Sequence, residues 1–175
     1  MLKKIERAQQ LLKKEAVVFR CPTCHEPMHL EGVGLICQQR HQFDLSKKGT
    51  LYFLNHGVQT EYNKKMFTSR GKMIQSGMYA PVLNKIMHYL PQNKTVVDVG
   101  CGEGSFLAEL SQAGLSGLKI GFDLSKEGIY LASNQPIDAF WCVADLTNLP
   151  FANEGLDTIL NIFSPSHYQE FQRVL

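Results

Sequence analysis

The chain lacks the features that would take it into or across a membrane. No apolar run in it approaches the roughly 20 residues of a bilayer span. The opening segment, Met1 to Arg7, has no apolar core of the signal-peptide kind. A cytoplasmic location and no membrane partner are therefore expected. Charge of one sign is also scarce: the net charge is only +2 over 175 residues, with 19% charged and 44% apolar. That balance is ordinary for a globular protein with room for one medium domain or two small ones. Cysteine is sparse, with five in all, and in such a compartment disulfides are not expected.

What is present is unevenly spread. Residues 1–75 carry 13 Lys/Arg against 6 Asp/Glu, a net +7, whereas residues 76–175 carry 5 against 10, a net −5. A basic half joined to an acidic half suggests a polyanion-binding module attached to something else. Cys21, Cys24 and Cys37 crowd into 17 residues, and His41 follows in a C-x2-C-x12-C-x3-H pattern. Two close ligand pairs of this kind suit tetrahedral zinc, and a closed set of four leaves no position for water. The expectation is a structural Zn2+ held by Cys21, Cys24, Cys37 and His41. His25 and His29 compete for the fourth place, and His41 is favoured because C-x3-H repeats the pairing of the first knuckle. A redox role for Cys21 and Cys24 would want a surrounding βαβ pattern, which is missing. Short strands are expected at 41–45 and 50–54, both inside this module. Phe43, Tyr52 and Phe53 would form its core or serve as stacking platforms for bases.

The coarse organisation reads as a basic amphipathic helix at 1–16, a zinc-binding β module at 17–60 and a larger domain at 61–175. The first helix either packs on a domain or touches nucleic acid. A second helix pattern, 64–74, carries Lys64, Lys65, Arg70 and Lys72, which suit a phosphate backbone or a solvated face equally. Tyr79 falls at a turn between Gly77 and Pro81, ahead of an apolar helix that ends near Leu90.

An apolar strand, Val96 to Val99, then runs into Gly100, Gly102 and Gly104, and a helical pattern follows. Glycine leaves no Cβ between main chain and ligand. The spacing G-x-G-x-G is not the dinucleotide fingerprint G-x-G-x-x-G. Asp98, two residues before the first glycine, would repel a pyrophosphate and attract a cation. This resembles the first motif of the class I S-adenosylmethionine methyltransferases. A second strand ends at Asp123, 23 residues past Gly100, where a carboxylate commonly accepts both ribose hydroxyls. A third strand, 140–144, ends at Asp145, where by the same resemblance a polar group meets the adenine amine. Leu149-Pro150-Phe151 matches a loop of that family, and a fourth strand is expected at 157–163. Alternating strands and helices imply a parallel α/β sheet with ligands at the strands' carboxyl ends.

Together the halves resemble the bacterial 23S ribosomal RNA guanine-N1 methyltransferases (RlmA-like). The resemblance rests on the zinc spacing, Cys37 to Asp44, Gly77 to Pro81, Asp98 to Gly104, and Asn161-Ile-Phe-Ser-Pro-Ser166. It implies a Rossmann-like fold and S-adenosylmethionine held by Tyr79, Gly102, Glu103, Gly104 and Asp123. Asp98, Gly100 and Asp145 complete the expected cofactor set. It also implies a zinc module that helps grip a 23S rRNA hairpin. Asn161 and Ser164 are expected to position the target base. No general base is identified, since His167 also reads as a surface helix residue. The family pattern continues for three strands beyond the fourth, so the domain is expected to be C-terminally incomplete and weakly active or inactive alone. Competing functions are a small-molecule methyltransferase and a non-catalytic zinc-containing RNA-binding fragment. A homodimer is compatible with the sequence.

Overall fold

The computed structural model describes residues 2–175. A three-stranded antiparallel sheet is built from β1 (Met28–Glu31), β2 (Gly34–Cys37) and β3 (Gln42–Asp44), in that order. A second sheet is wholly parallel. It comprises β4 (Thr50–Tyr52), β5 (Val96–Val99), β6 (Lys119–Asp123), β7 (Phe140–Val143) and β8 (Thr158–Leu160), in the order β4-β7-β6-β5-β8. Six helices accompany them: α1 (Lys4–Glu15), α2 (Lys64–Gln75), α3 (Ala80–Tyr89), α4 (Ser105–Gln112), α5 (Lys126–Ala132) and α6 (Tyr168–Val174).

The central strands are apolar on both sides, as a parallel sheet covered on both faces requires. Side chains alternate between two cores along each strand. Val97, Val99, Ile120, Phe122, Phe140 and Cys142 enter one core. Val96, Trp141, Val143 and Leu160 enter the other, with Phe106, Leu107 and Leu110 of α4 and Ile129 and Ala132 of α5. The first core has a different partner. Its other wall is the small sheet and its flanks, through Phe19, Cys21, Met28, Leu35, Cys37 and Leu45, together with Ala8 and Leu12 of α1 and Val174 of α6. Phe19 sits at the seam, 5.2 Å from the Phe140 ring centroid and 5.8 Å from that of Phe151. Each such fully buried aromatic side chain contributes about 1.5–3 kcal/mol.

Two expectations change. The strand at 50–54 does not belong to the small sheet: β4 pairs in parallel with β7, Leu51 opposite Cys142. The reason is burial, since Leu51 and Phe53 are both enclosed there. The chain thus enters the large sheet before residue 61. The fourth strand is also shorter than 157–163. It ends at Leu160, and Phe163 turns the chain away at φ 58°. The basic helix α1 packs on the protein: Ala8 and Leu12 are buried, Gln9 donates to the Gly32 carbonyl, and Lys4 Nζ reaches Asn134 at 2.8 Å. Lys13 and Lys14 stay exposed.

Consecutive parallel strands of one sheet are usually joined through a helix. The crossovers β5–β6 and β6–β7 follow this with α4 and α5, but residues 144–157, between β7 and β8, contain none. The small sheet's leading segment lies against this strap instead. Arg20 N donates to Pro150 O, Ala152 N donates to Val18 O, and Phe19 bridges to Phe151.

Candidate functional site

The metal centre is the simpler of two sites. The ligand atoms of Cys21, Cys24, Cys37 and His41 all lie within 4.8 Å of one another. Cys21 Sγ and Cys37 Sγ are each 3.5 Å from His41 Nδ1, and Cys24 Sγ is 3.5 Å from Cys37 Sγ. Four atoms at bond lengths of about 2.0–2.3 Å from one tetrahedral ion are separated by roughly 3.5 Å, so the donor set fits zinc. Its geometry selects His41 over the alternatives. His25 and His29 are exposed outside the cluster, and His29 faces Glu31 at 3.6 Å. Burial opposes a thiolate at Cys37, but the N–H groups of His41 and Gln39 and the Cys24 thiol outweigh it and lower the pKa to about 7. The other two cysteines differ. Cys101 and Cys142 are fully buried, and burial pushes both thiols up.

The second site lies at the carboxyl ends of β5, β6 and β7. A cavity of about 420 Å³ opens there, lined among others by Gly100, Gly102, Asp123, Asp145, Phe163 and Ser164. That volume falls in the range of small-ligand sites. Gly100 and Gly102 have φ of 64° and 57°, a left-handed conformation that favours glycine. A Cβ on Gly102 would lie 2.6 Å from Arg70 Nη1, so the loop is both bent and closely covered.

Asp123 holds the loop from β6. Its Oδ2 accepts from Gly102 N at 2.8 Å and its Oδ1 from Ser125 N at 2.7 Å. Burial nonetheless raises its pKa. Asp145 organises the turn after β7, its Oδ1 accepting from the Thr147 amide and hydroxyl, each at 2.8 Å. Asp98 lies beneath the loop, 2% exposed, and its Oδ2 has no hydrogen-bond partner. Burial pushes its carboxyl up to about 7. The charges of Asp123 and Glu103 add to the rise and the Arg70 guanidinium opposes it. Three carboxylates thus surround one cation. A buried ligand carrying positive charge would restore the balance.

The other expected residues are more scattered. Glu103 is buried and pairs with Arg70 at 2.6 Å, leaving its Oε1 without a partner. Gly104 N-caps α4 and lies under Trp141. Tyr79 N-caps α3, with its ring 5.3 Å from Phe106 and 5.8 Å from Phe163, beside the cavity rather than in its wall. Ser164 donates to the Val99 carbonyl at 2.7 Å and touches the Asn161 amide, and Asn161 donates to Ser166. These bonds tie the segment after β8 to the tip of β5. His167 Nδ1 accepts from the Glu170 amide at 3.3 Å as the cap of α6.

The sequence pattern does not mark two residues of the site. Arg70 shares its helix with exposed lysines, yet it turns inward to line the cavity, bonded to Glu103 and lying 5.1 Å over the Phe106 ring. The signal was the buried stripe Phe67, Gly71 and Ile74 on α2, which Arg70 flanks. Phe163 lies at the cavity mouth, 80% exposed and at positive φ. Such a conformation is rare for a bulky residue and concentrates at functional sites.

This architecture is shared. A Methanococcus maripaludis protein provisionally named an S-adenosylmethionine-dependent methyltransferase superposes with a TM-score of 0.56 at 18% identity, over 69% of this chain and 62% of its own. An Aquifex aeolicus methyltransferase superposes at 0.53 and 19%, over 65% and 68%. The fold is that of a class I methyltransferase domain, and residues 96–175 match the methyltransferase-domain family. Residues 19–55 match the zinc ribbon described as RlmA, N-terminal. YxjB of Bacillus subtilis, provisionally named a 23S rRNA (guanine-N(1)-)-methyltransferase, is 41% identical over 90% of this chain and 60% of its own length. The Streptomyces fradiae 23S rRNA (guanine(748)-N(1))-methyltransferase is 27% identical over 94% and 62%. In both its ribbon and its sheet the chain is similar to this RlmA-type family. It spans about 60% of the length of these curated relatives.

Proposed function

We propose that the protein transfers a methyl group from S-adenosylmethionine to N1 of a guanine in a 23S rRNA hairpin. The observation that carries this is the cavity at the ends of β5, β6 and β7, with Asp123 and Asp145 in its wall and the exposed Phe163 ring beside them. Bound there, the cofactor would supply an electrophilic methyl group on a sulfonium. The chain's own residues do the rest. Asp123 accepts from the ribose, and Asp145 and its turn frame the adenine. Gly100, Gly102 and Gly104 let the ligand lie against main chain, with Tyr79 flanking. Asp98 and Glu103 supply negative charge for the ligand's amine, and Arg70 faces its carboxylate. Phe163 stacks on the target base while Asn161 and Ser164 fix its edge. The guanine has to leave its stack or come from a loop to reach them. No side chain at the mouth is assigned to take the N1 proton.

The metal module together with α1 and α2 grips the RNA, the large sheet from Thr50 onward holds the cofactor, and α1 braces one against the other. Exposed Lys13, Lys14, Lys64, Lys65 and Lys72 supply phosphate contacts. No helix among the described residues is long and apolar enough to cross a membrane, and a cytoplasmic site of action fits an RNA substrate. Light scattering of the RNA-bound protein distinguishes one chain from a pair. The test is mass mapping of 23S rRNA from cells with and without the gene. Loss of one N1-methylguanine is expected, and an unchanged map would overturn the proposal.

A further inference from the structure

The knuckle between Cys21 and Cys24 and the cofactor cavity are joined by one side chain. Asn148 Nδ2 donates to the carbonyl of Pro22 at 2.8 Å. Pro22 is buried and sits inside the knuckle, next to the ligand Cys21. At its other end, Asn148 closes the turn that begins at Asp145: its amide donates to the Asp145 carbonyl at 3.1 Å. Asp145 and Leu146 line the cavity. Only Thr147 and Asn148 therefore separate the cavity wall at Leu146 from the metal knuckle.

The setting makes this contact more than ornamental. In the crossovers β5–β6 and β6–β7 a helix fixes where the chain leaves the sheet. The strap 144–157 has no helix, so its course is set by what it leans on. One side leans on the metal module, through Asn148, the Arg20–Pro150 and Val18–Ala152 backbone bonds, and the Phe19–Phe151 bridge. The other side is gripped by α6. Glu170 accepts from Leu149 N at 2.7 Å, and Arg173 donates to the carbonyls of Leu149 and Phe151 at 3.0 and 2.7 Å. Of these contacts, only Asn148 reaches from the Asp145 turn into the knuckle itself.

We propose that the metal knuckle sets the ligand affinity of the cavity, with Asn148 as the positioning residue that carries its geometry through Pro22 to the Asp145 turn. In this arrangement the zinc does more than hold the ribbon together. Loading the knuckle orders the adenine side of the site, and loss of the metal loosens it while the glycine loop after β5 stays in place. The inference rests on reading the cavity as the adenosyl site. It adds that the affinity of that site depends on the metal.

The experiment uses the zinc-loaded chain, with S-adenosylhomocysteine and 5′-methylthioadenosine as calorimetric probes and amide hydrogen exchange as a separate readout. Asn148→Asp keeps the size but replaces the donor by an oxygen that opposes the Pro22 carbonyl. It is expected to weaken both probes by about five- to tenfold, the scale of one lost hydrogen bond to a fixed partner. Zinc content should be unchanged. The loss should be equal for the two probes, because they share the adenine side and differ in the amino-acid tail. Chelating the metal should weaken binding in the wild type more than in Asn148→Asp, since the variant has already lost the connection. Exchange at residues 145–149 should rise on chelation and in the variant alike.

Wild-type affinity in Asn148→Asp would overturn the proposal, as would additive effects of variant and chelation. Unchanged exchange at 145–149 while the metal module opens would overturn it independently of any ligand. If the zinc-loaded wild type binds neither probe, the cofactor reading itself fails and takes this inference with it. The exchange result alone still reports whether knuckle and turn are coupled.

Discussion

The metal module and the glycine loop after β5 are ordered by opposite means. The module's three strands run for only 3–4 residues each, and four side-chain atoms converge to hold them. Remove the ion and those atoms have nothing to converge on. The glycine loop has no such staple. It is fixed by backbone bonds, Cys101 N to Phe122 O and Gly104 N to Cys101 O, and by Asp123 and Arg70 gripping it from two sides. What it leaves unbalanced is charge: three carboxylates against one guanidinium, with Asp98 Oδ2 unpartnered. One region is incomplete without a metal, the other without a cation-bearing ligand.

The contrast breaks most visibly at the metal. Cys37→Ser, or chelation, is expected to cost about 4–5 kcal/mol, read by urea unfolding. A loss under about 1 kcal/mol would show that the shared core around Phe19 holds the ribbon alone. Next is the loop's own cation. Arg70→Met strands the buried Glu103 carboxylate and should cost about 3 kcal/mol. Part of this should be recovered in the double variant with Glu103→Gln.

Asp98 gives the pH signature. Its folded pKa of about 7 lies above the ordinary carboxylate value. The protonated form is therefore favoured by folding, and the associated stability is present below about pH 4 and lost as pH rises towards 7. Asp98→Asn should then be nearly neutral at pH 4 and stabilise the ligand-free chain by about 1–3 kcal/mol at pH 8. It should also weaken S-adenosylhomocysteine. Chemical unfolding at the two pH values checks this, and equal effects at both would contradict it. Gly102→Ala should cost about 1–2 kcal/mol, because φ is positive and Arg70 stands in the way. It should abolish measurable ligand binding. The smallest stability effect belongs to Phe163→Ala, within about 0.5 kcal/mol. Its expected loss is in turnover on RNA, with cofactor affinity kept.

Much of this was legible from local spacing. The four metal ligands follow from a pattern spanning 21 residues, and the glycine loop from seven. Both are short-range constraints that sequence states directly. The strand ends at Asp123 and Asp145 were readable because apolar runs stop there. What escaped depends on distant packing. Nothing in Thr50-Leu-Tyr says that it pairs with Phe140–Val143, some ninety residues away. Lysines and arginines on one helix look alike until the buried stripe of α2 turns Arg70 inward and leaves Lys64, Lys65 and Lys72 outside. The loop at Leu149–Phe151 is legible as a loop, but not that the metal module from the far end of the chain packs against it. Phe163 sat inside a recognised motif, but its positive φ is a property of the fold.

The account stands on an adenosyl ligand seated on the glycine loop, and titrating the zinc-loaded chain with S-adenosylhomocysteine tests that most directly. One ligand per chain is predicted, with affinity falling at least about tenfold in Asp123→Ala, which removes the proposed ribose acceptor and the anchor of Gly102 N. Absence of saturable binding, or unchanged affinity in Asp123→Ala, would contradict it.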